Sequence, residues 1–79
     1  MEQKRFYYSR STIYGWCVYD RQTQTPAYEA CCSYLPPISD DENGKVCVSP
    51  ICDTEYQAMR LCSKLNVIYK RICLANRDM

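Results

Sequence analysis

Apolar and aromatic residues along the first half of the chain fall in short runs bounded by turn formers, the pattern of strands. Phe6-Tyr7-Tyr8 is the first such run. In residues 13–19, Tyr14, Trp16 and Val18 fall on one face and Ile13, Cys17 and Tyr19 on the other, as the two-residue period of a strand requires. Apolar residues on both faces mark this strand as central. Residues 20–26 are polar and long enough for a hairpin loop, so residues 27–34 are expected to return as an antiparallel strand. Pro36-Pro37 stops that element, because proline lacks the backbone donor and restricts the residue before it. Residues 39–44 are acidic and turn-rich, a solvated loop, and residues 45–49 are expected to form a further short strand that ends at Pro50.

The pattern changes period at residue 53. Asp53 or Thr54 can cap a helix, and Thr54 with Gln57 fits a capping box. Ala58, Leu61, Cys62 and Leu65 follow at i, i+3, i+4 and i+7, which aligns them on one stripe, while Glu55, Arg60 and Lys64 face water. Asn66 is a common C-cap and Val67-Ile68-Tyr69 is β-rich. Yet Ile68, Ile72 and Ala75 prolong the stripe, so the spacing predicts a helix from about 54 to 75. The expected fold class is α+β, one domain over residues 1–79. A small antiparallel sheet of three to four strands, within residues 5–49, carries one long C-terminal helix packed on one face. Its core is expected from Trp16, Val18, Leu61, Cys62, Leu65 and Ile68.

Composition narrows the class without naming a partner. Of 79 residues, 47% are hydrophobic and 24% charged, far from the signature of disorder. Ten basic against nine acidic side chains leave a net charge of +1, which removes the electrostatic footprint of a dedicated duplex-DNA binder. Residues 1–10 contain no apolar stretch of signal-peptide length, and no apolar run approaches a bilayer span. The chain is therefore expected to be soluble and cytoplasmic, with no membrane partner.

Catalytic chemistry has little to work with. The absence of histidine excludes the usual triads, and Gly15 and Gly44 are too few and too far apart for a phosphate loop. No cofactor and no enzymatic activity are expected. Seven cysteines, an odd number without an export signal, read as reduced thiols that pack as small hydrophobes. A structural zinc or thiol domain is the alternative, although adjacent Cys31-Cys32 and the Cys47-x4-Cys52 spacing do not make zinc-ribbon pairs. Cys52, just before a helix N-terminus, is the best-placed thiol for nucleophilic work, but no base accompanies it.

Binding is the remaining class. Asp40, Asp41 and Glu42 form the single acidic cluster, an ordinary solvated turn or a docking patch for a basic surface. Eight tyrosines exceed what so small a core hides, which puts Tyr7, Tyr8, Tyr14 and Tyr69 forward as partner-binding residues and makes a homodimer an option. Lys64, Lys70 and Arg71, with Arg77 beyond them, form the nucleic-acid alternative, although basic residues near a helix C-terminus also complement its dipole.

The hairpin segment Gly15-Trp16-Cys17-Val18-Tyr19-Asp20-Arg21, followed by the pattern D-T-x-x-x-A-x-x-L-C-x-x-L-N from Asp53 to Asn66, resembles small proteins encoded by phages and mobile elements, anti-CRISPR proteins among them. The resemblance covers roughly two thirds of the chain and transfers no binding residue. It implies a stoichiometric inhibitor that occupies a surface of a host protein complex such as a CRISPR effector, in the bacterial cytoplasm. A nucleic-acid-binding or regulatory adaptor is the rival expectation.

Overall fold

Strands β1 (Phe6–Ser11) and β2 (Gly15–Asp20) pair antiparallel along their whole length, from Phe6 opposite Asp20 to Ser11 opposite Gly15. A computed structural model describes residues 4–77, without the side chain of Arg77. Residues 1–3, part of the segment read for a signal peptide, lie outside the described residues. Gly15 closes the turn with φ +80°, a conformation that a side chain would strain. The far edge of β2 takes two short partners: β3 (Thr25–Pro26) at its C-terminal end and, further along the chain, a segment at Ile51–Cys52 opposite Trp16 and Cys17. β2 is thus the central strand, as its two apolar faces imply.

Residues 27–34 are not a returning strand. They form helix α1 (Tyr28–Tyr34), and Leu35, extended before Pro36, ends it. The physical reason lies in the spacing: Ala27, Ala30, Cys31 and Leu35 are all buried, at i, i+3, i+4 and i+8, a helical stripe. α1 has no side-chain cap, so its packing on the core, rather than its local signals, holds it. The acidic segment is also more ordered than a loop. β4 (Ser39–Asp41) and β5 (Gly44–Val46) make a separate two-stranded hairpin, so the strand expected at 45–49 pairs locally instead of joining the main sheet. With β6 (Ile51–Cys52) the element series reaches the long helix.

Helix α2 (Glu55–Arg77) runs unbroken through Asn66 for 23 residues. At its start the Gln57 N–H donates to Thr54 Oγ1 at 3.2 Å, while Gln57 Oε1 accepts from the Asp53 N–H at 3.0 Å. The capping box therefore closes one residue earlier than Thr54 itself. Thr54→Ala is expected to cost about 1 kcal/mol in urea unfolding; an unchanged midpoint would show that the cap carries no stability. Cys62 and Leu65 are buried, as the stripe predicts, Val18 of β2 is buried with them, and Trp16, Leu61 and Ile68 pack half-buried around them. Among the described residues no helix is long and apolar enough to cross a membrane.

The uniform reading of the cysteines as reduced is corrected at one pair: Cys32 on α1 is joined to Cys47 after β5. Adjacent in sequence, Cys31 and Cys32 stand about 100° apart around α1, one buried and one exposed. The pairing depends on where the segment after β5 runs past α1, a contact across 15 residues that no local pattern carries. Cys17, Cys31, Cys52, Cys62 and Cys73 are free thiols.

Candidate functional site

The acidic cluster sits on the β4–β5 hairpin. Asp40 faces Lys45 across the ladder, Asp41 faces Gly44, and Glu42 and Asn43 make the two-residue turn. The Asn43 N–H donates to Asp41 Oδ1 at 2.9 Å, which shapes the turn locally. Gly44 has φ +124° with open space around it, so conformation rather than crowding selects glycine there. The Ile38 N–H donates to the Val46 carbonyl at 2.8 Å, a further bond to the residue that Ser39 faces at the open end of the hairpin. All three carboxylate residues are exposed, and beside them Ile38 is 66% and Val46 42% exposed. Within residues 38–46 the ionisable side chains are Asp40, Asp41, Glu42 and Lys45, a net negative hairpin with an apolar flank. Its attachment is narrow. The Cys32–Cys47 disulfide ties its base to α1, and Val48 just beyond packs against the core.

The four tyrosines singled out from sequence do not form one surface. Tyr7 is half-buried and stacks on Tyr19 with ring centroids 5.4 Å apart, and the Arg21 guanidinium lies 4.4 Å over it. Tyr8, one residue on and therefore on the other face, packs beside Trp16. Tyr14 lies in the β1–β2 turn, 45% exposed next to Ile13 at 81%. Tyr69 is half-buried and packs against the core. Its ring meets Phe6 edge-on at 6.2 Å and Tyr34 at 6.3 Å, and its hydroxyl accepts from Gln22 Nε2 at 3.2 Å. Tyr14 alone of the four is left open at a loop tip.

The most ordered polar cluster is one that sequence reasoning passed over. Arg5 grips the Asp20 carboxylate with both arms, Nε to Oδ1 at 3.1 Å and Nη2 to Oδ2 at 3.0 Å, while Nη1 donates to the Tyr34 hydroxyl at 2.9 Å. The guanidinium lies 4.7 Å from the Tyr69 ring centre and 5.1 Å from that of Phe6. Asp20, 2% exposed, also accepts from the Gln22 N–H at 2.9 Å. Burial pushes its pKa up, but the Arg5 fork and the backbone donors of Gln22 and Thr23 outweigh burial and leave it below the usual carboxylate range. The hydrogen bonds of this cluster join the residue before β1 to the end of β2 and to α1, with Tyr69 of α2 against the guanidinium, so its role is to hold these elements together. Asp20 read as the first residue of a polar loop; the signal that could have placed it inside is its position two after Val18, on the core-facing side of β2.

Burial disfavours the thiolate at four of the free thiols. Desolvation raises the pKa of Cys17, Cys52 and Cys62 and pushes Cys31 up to about 11. At Cys52 the Asp53 carboxylate adds to the effect of burial, which opposes the helix-dipole activation considered from sequence. Among the described residues no group of three or more Cys, Asp or Glu side chains converges on a common point. Lys64, Lys70 and Arg71 are exposed on α2, and Lys64 and Arg71 share with Arg60, Met59 and Val67 a shallow groove along its outer face. No protein-family model, no curated protein and no solved structure matches the chain.

Proposed function

We propose that this chain is a non-catalytic protein-binding module that presents its acidic hairpin to a basic groove on a host complex, as a phage-type stoichiometric inhibitor of a CRISPR effector would. The observation that carries this reading is the β4–β5 hairpin: three exposed carboxylate residues on an ordered turn, flanked by exposed Ile38 and Val46. Exposed carboxylates so grouped make a local negative patch that steers association with a basic nucleic-acid channel, and the apolar flank supplies area once contact is made. Tyr14 and Ile13 offer a second contact at a loop tip. The same reading sets the protein in the bacterial cytoplasm, where its five free thiols would stay reduced and the Cys32–Cys47 pair would be exposed to reduction.

The test is capture by tagged protein of effector complexes from a bacterial lysate, compared with an Asp40→Ala/Asp41→Ala/Glu42→Ala variant. The variant is expected to associate at least about tenfold more slowly at low salt, and equal rates would remove the hairpin from the interface. A second reading, a nucleic-acid adaptor, is favoured by the exposed line of Arg60, Lys64 and Arg71 on α2. It requires binding of nucleic acid that weakens steeply with salt.

A further inference from the structure

β1 is the outer strand of the main sheet, and its outward backbone groups can be assigned. The Val18 N–H donates to the Pro50 carbonyl and the Val18 carbonyl accepts from the Ala27 N–H, so Val18 turns its backbone away from β1. Its opposite number Tyr8 must then turn its own N–H and C=O away from β2, and so must Phe6 and Arg10, two residues either side. Phe6 is already served. Asn66 of α2 accepts from its N–H at 3.0 Å and donates to its carbonyl at 3.1 Å, standing in for a neighbouring strand. Among the described residues no group takes the N–H or C=O of Tyr8 or Arg10.

From this pattern we infer that β1 pairs antiparallel with β1 of a second copy of the chain, in a register centred on Ser9 that sets Tyr8 of each copy opposite Arg10 of the other. The register follows by elimination. Centring on Tyr8 would set Arg10 against Phe6, whose groups Asn66 occupies. Centring on Arg10 would place two like charges directly opposite and draw on Thr12, which lies in the turn. Centring on Ser9 uses every free group, about four hydrogen bonds, and stops where Asn66 stops it. It also places the Arg10 guanidinium beside the Tyr8 ring of the other copy, on one face of the sheet, a favourable cation–π pairing. On the opposite face the small, exposed Ser9 meets its own copy at the axis. An interface that uses the same residues on both sides is the usual geometry of a twofold dimer. A non-self peptide would find the same two residues and no further ladder, without the reciprocal Tyr8–Arg10 pairs. This pairing stands independently of the role proposed for the acidic hairpin.

Sedimentation across about 1 µM to 1 mM tests it together with two variants. The wild-type chain is expected to pass from monomer to dimer within that range. Arg10→Pro removes an outward N–H that β2 does not use, as edge strands tolerate, and is expected to weaken the dimer at least about tenfold. Ser9→Cys places two thiols across a non-hydrogen-bonded pair, where Cα atoms stand about 4.5 Å apart, within disulfide reach. Mild oxidation should yield a covalent dimer whose peptide map joins the two introduced thiols. A monomer at about 1 mM overturns the inference, even if an extended peptide adds to the same edge. So does a dimer that survives Arg10→Pro or whose introduced thiols do not crosslink. Should Arg10→Pro lose its circular-dichroism spectrum, the Ser9→Cys map decides.

Discussion

Asp20→Ala is expected to lower the unfolding free energy by about 3–5 kcal/mol, the usual loss when one member of a buried ion pair is removed. That is a large share of what a domain of this size holds, about 4–12 kcal/mol at the common per-residue value. The size of the effect comes from what remains behind. Arg5, half-buried against the rings of Phe6, Tyr34 and Tyr69, keeps its charge and loses both of its carboxylate bonds. Urea unfolding monitored by Trp16 fluorescence would read the change. A loss below about 1 kcal/mol would mean that water enters and serves Arg5 in place of Asp20.

The same pair sets an acid dependence. Because Asp20 titrates below the usual carboxylate range when folded, its contribution is fully present above the unfolded value of about 3.9. It is lost as pH falls through the lower folded value. Wild-type stability should therefore fall below about pH 4 more steeply than that of Asp20→Asn. Parallel pH profiles for the two proteins would exclude Asp20 from the acid transition.

Opening the Cys32–Cys47 disulfide is expected to cost about 3 kcal/mol, the chain-entropy value for a loop near its 15-residue separation. The loss should be concentrated in the hairpin. Between Leu35 and Val48, which pack in and around the core, the chain makes its backbone pairing with itself, so without the disulfide its base is free to swing. Cys32→Ser/Cys47→Ser should lower the unfolding midpoint at constant m and remove amide-exchange protection at Val46 while leaving β1, β2 and α2 protected. Equal hairpin protection in both forms would show that local pairing suffices to hold it. If the proposed function is right, the variant also presents its carboxylates from a looser arm, and binding should weaken by the ordering cost.

Much of the architecture is legible without coordinates because its causes are local. The stripe of Ala58, Cys62 and Leu65 and the cap at Thr54 concern residues within two turns of one another, and both are present in α2. Its passage through Asn66 was legible too, since Ile68 keeps the stripe. The central position of β2 follows from Val18 and Cys17, apolar on opposite faces and both buried. The acidic cluster is likewise visible in the sequence, and it is exposed. In α1 the helical stripe is present in the sequence as well, but aromatic residues and the preceding polar loop favoured a strand. With seven residues and no side-chain cap, packing had to settle it.

What could not be read concerns groups brought together by the fold. Arg5 and Asp20 are 15 residues apart, Phe6 and Asn66 are 60 apart, and neither pair carries a local pattern. Tyr69 appeared as one more tyrosine free for a partner, until α2 laid it against Phe6 and Tyr34. Cys32 and Cys47 acquire their relation from where the segment after β5 runs past α1. Periodicity and capping act over a few residues and are written in the order of the chain. Which polar groups become neighbours depends on how helices and strands stack, and hence on contacts between segments far apart in that order.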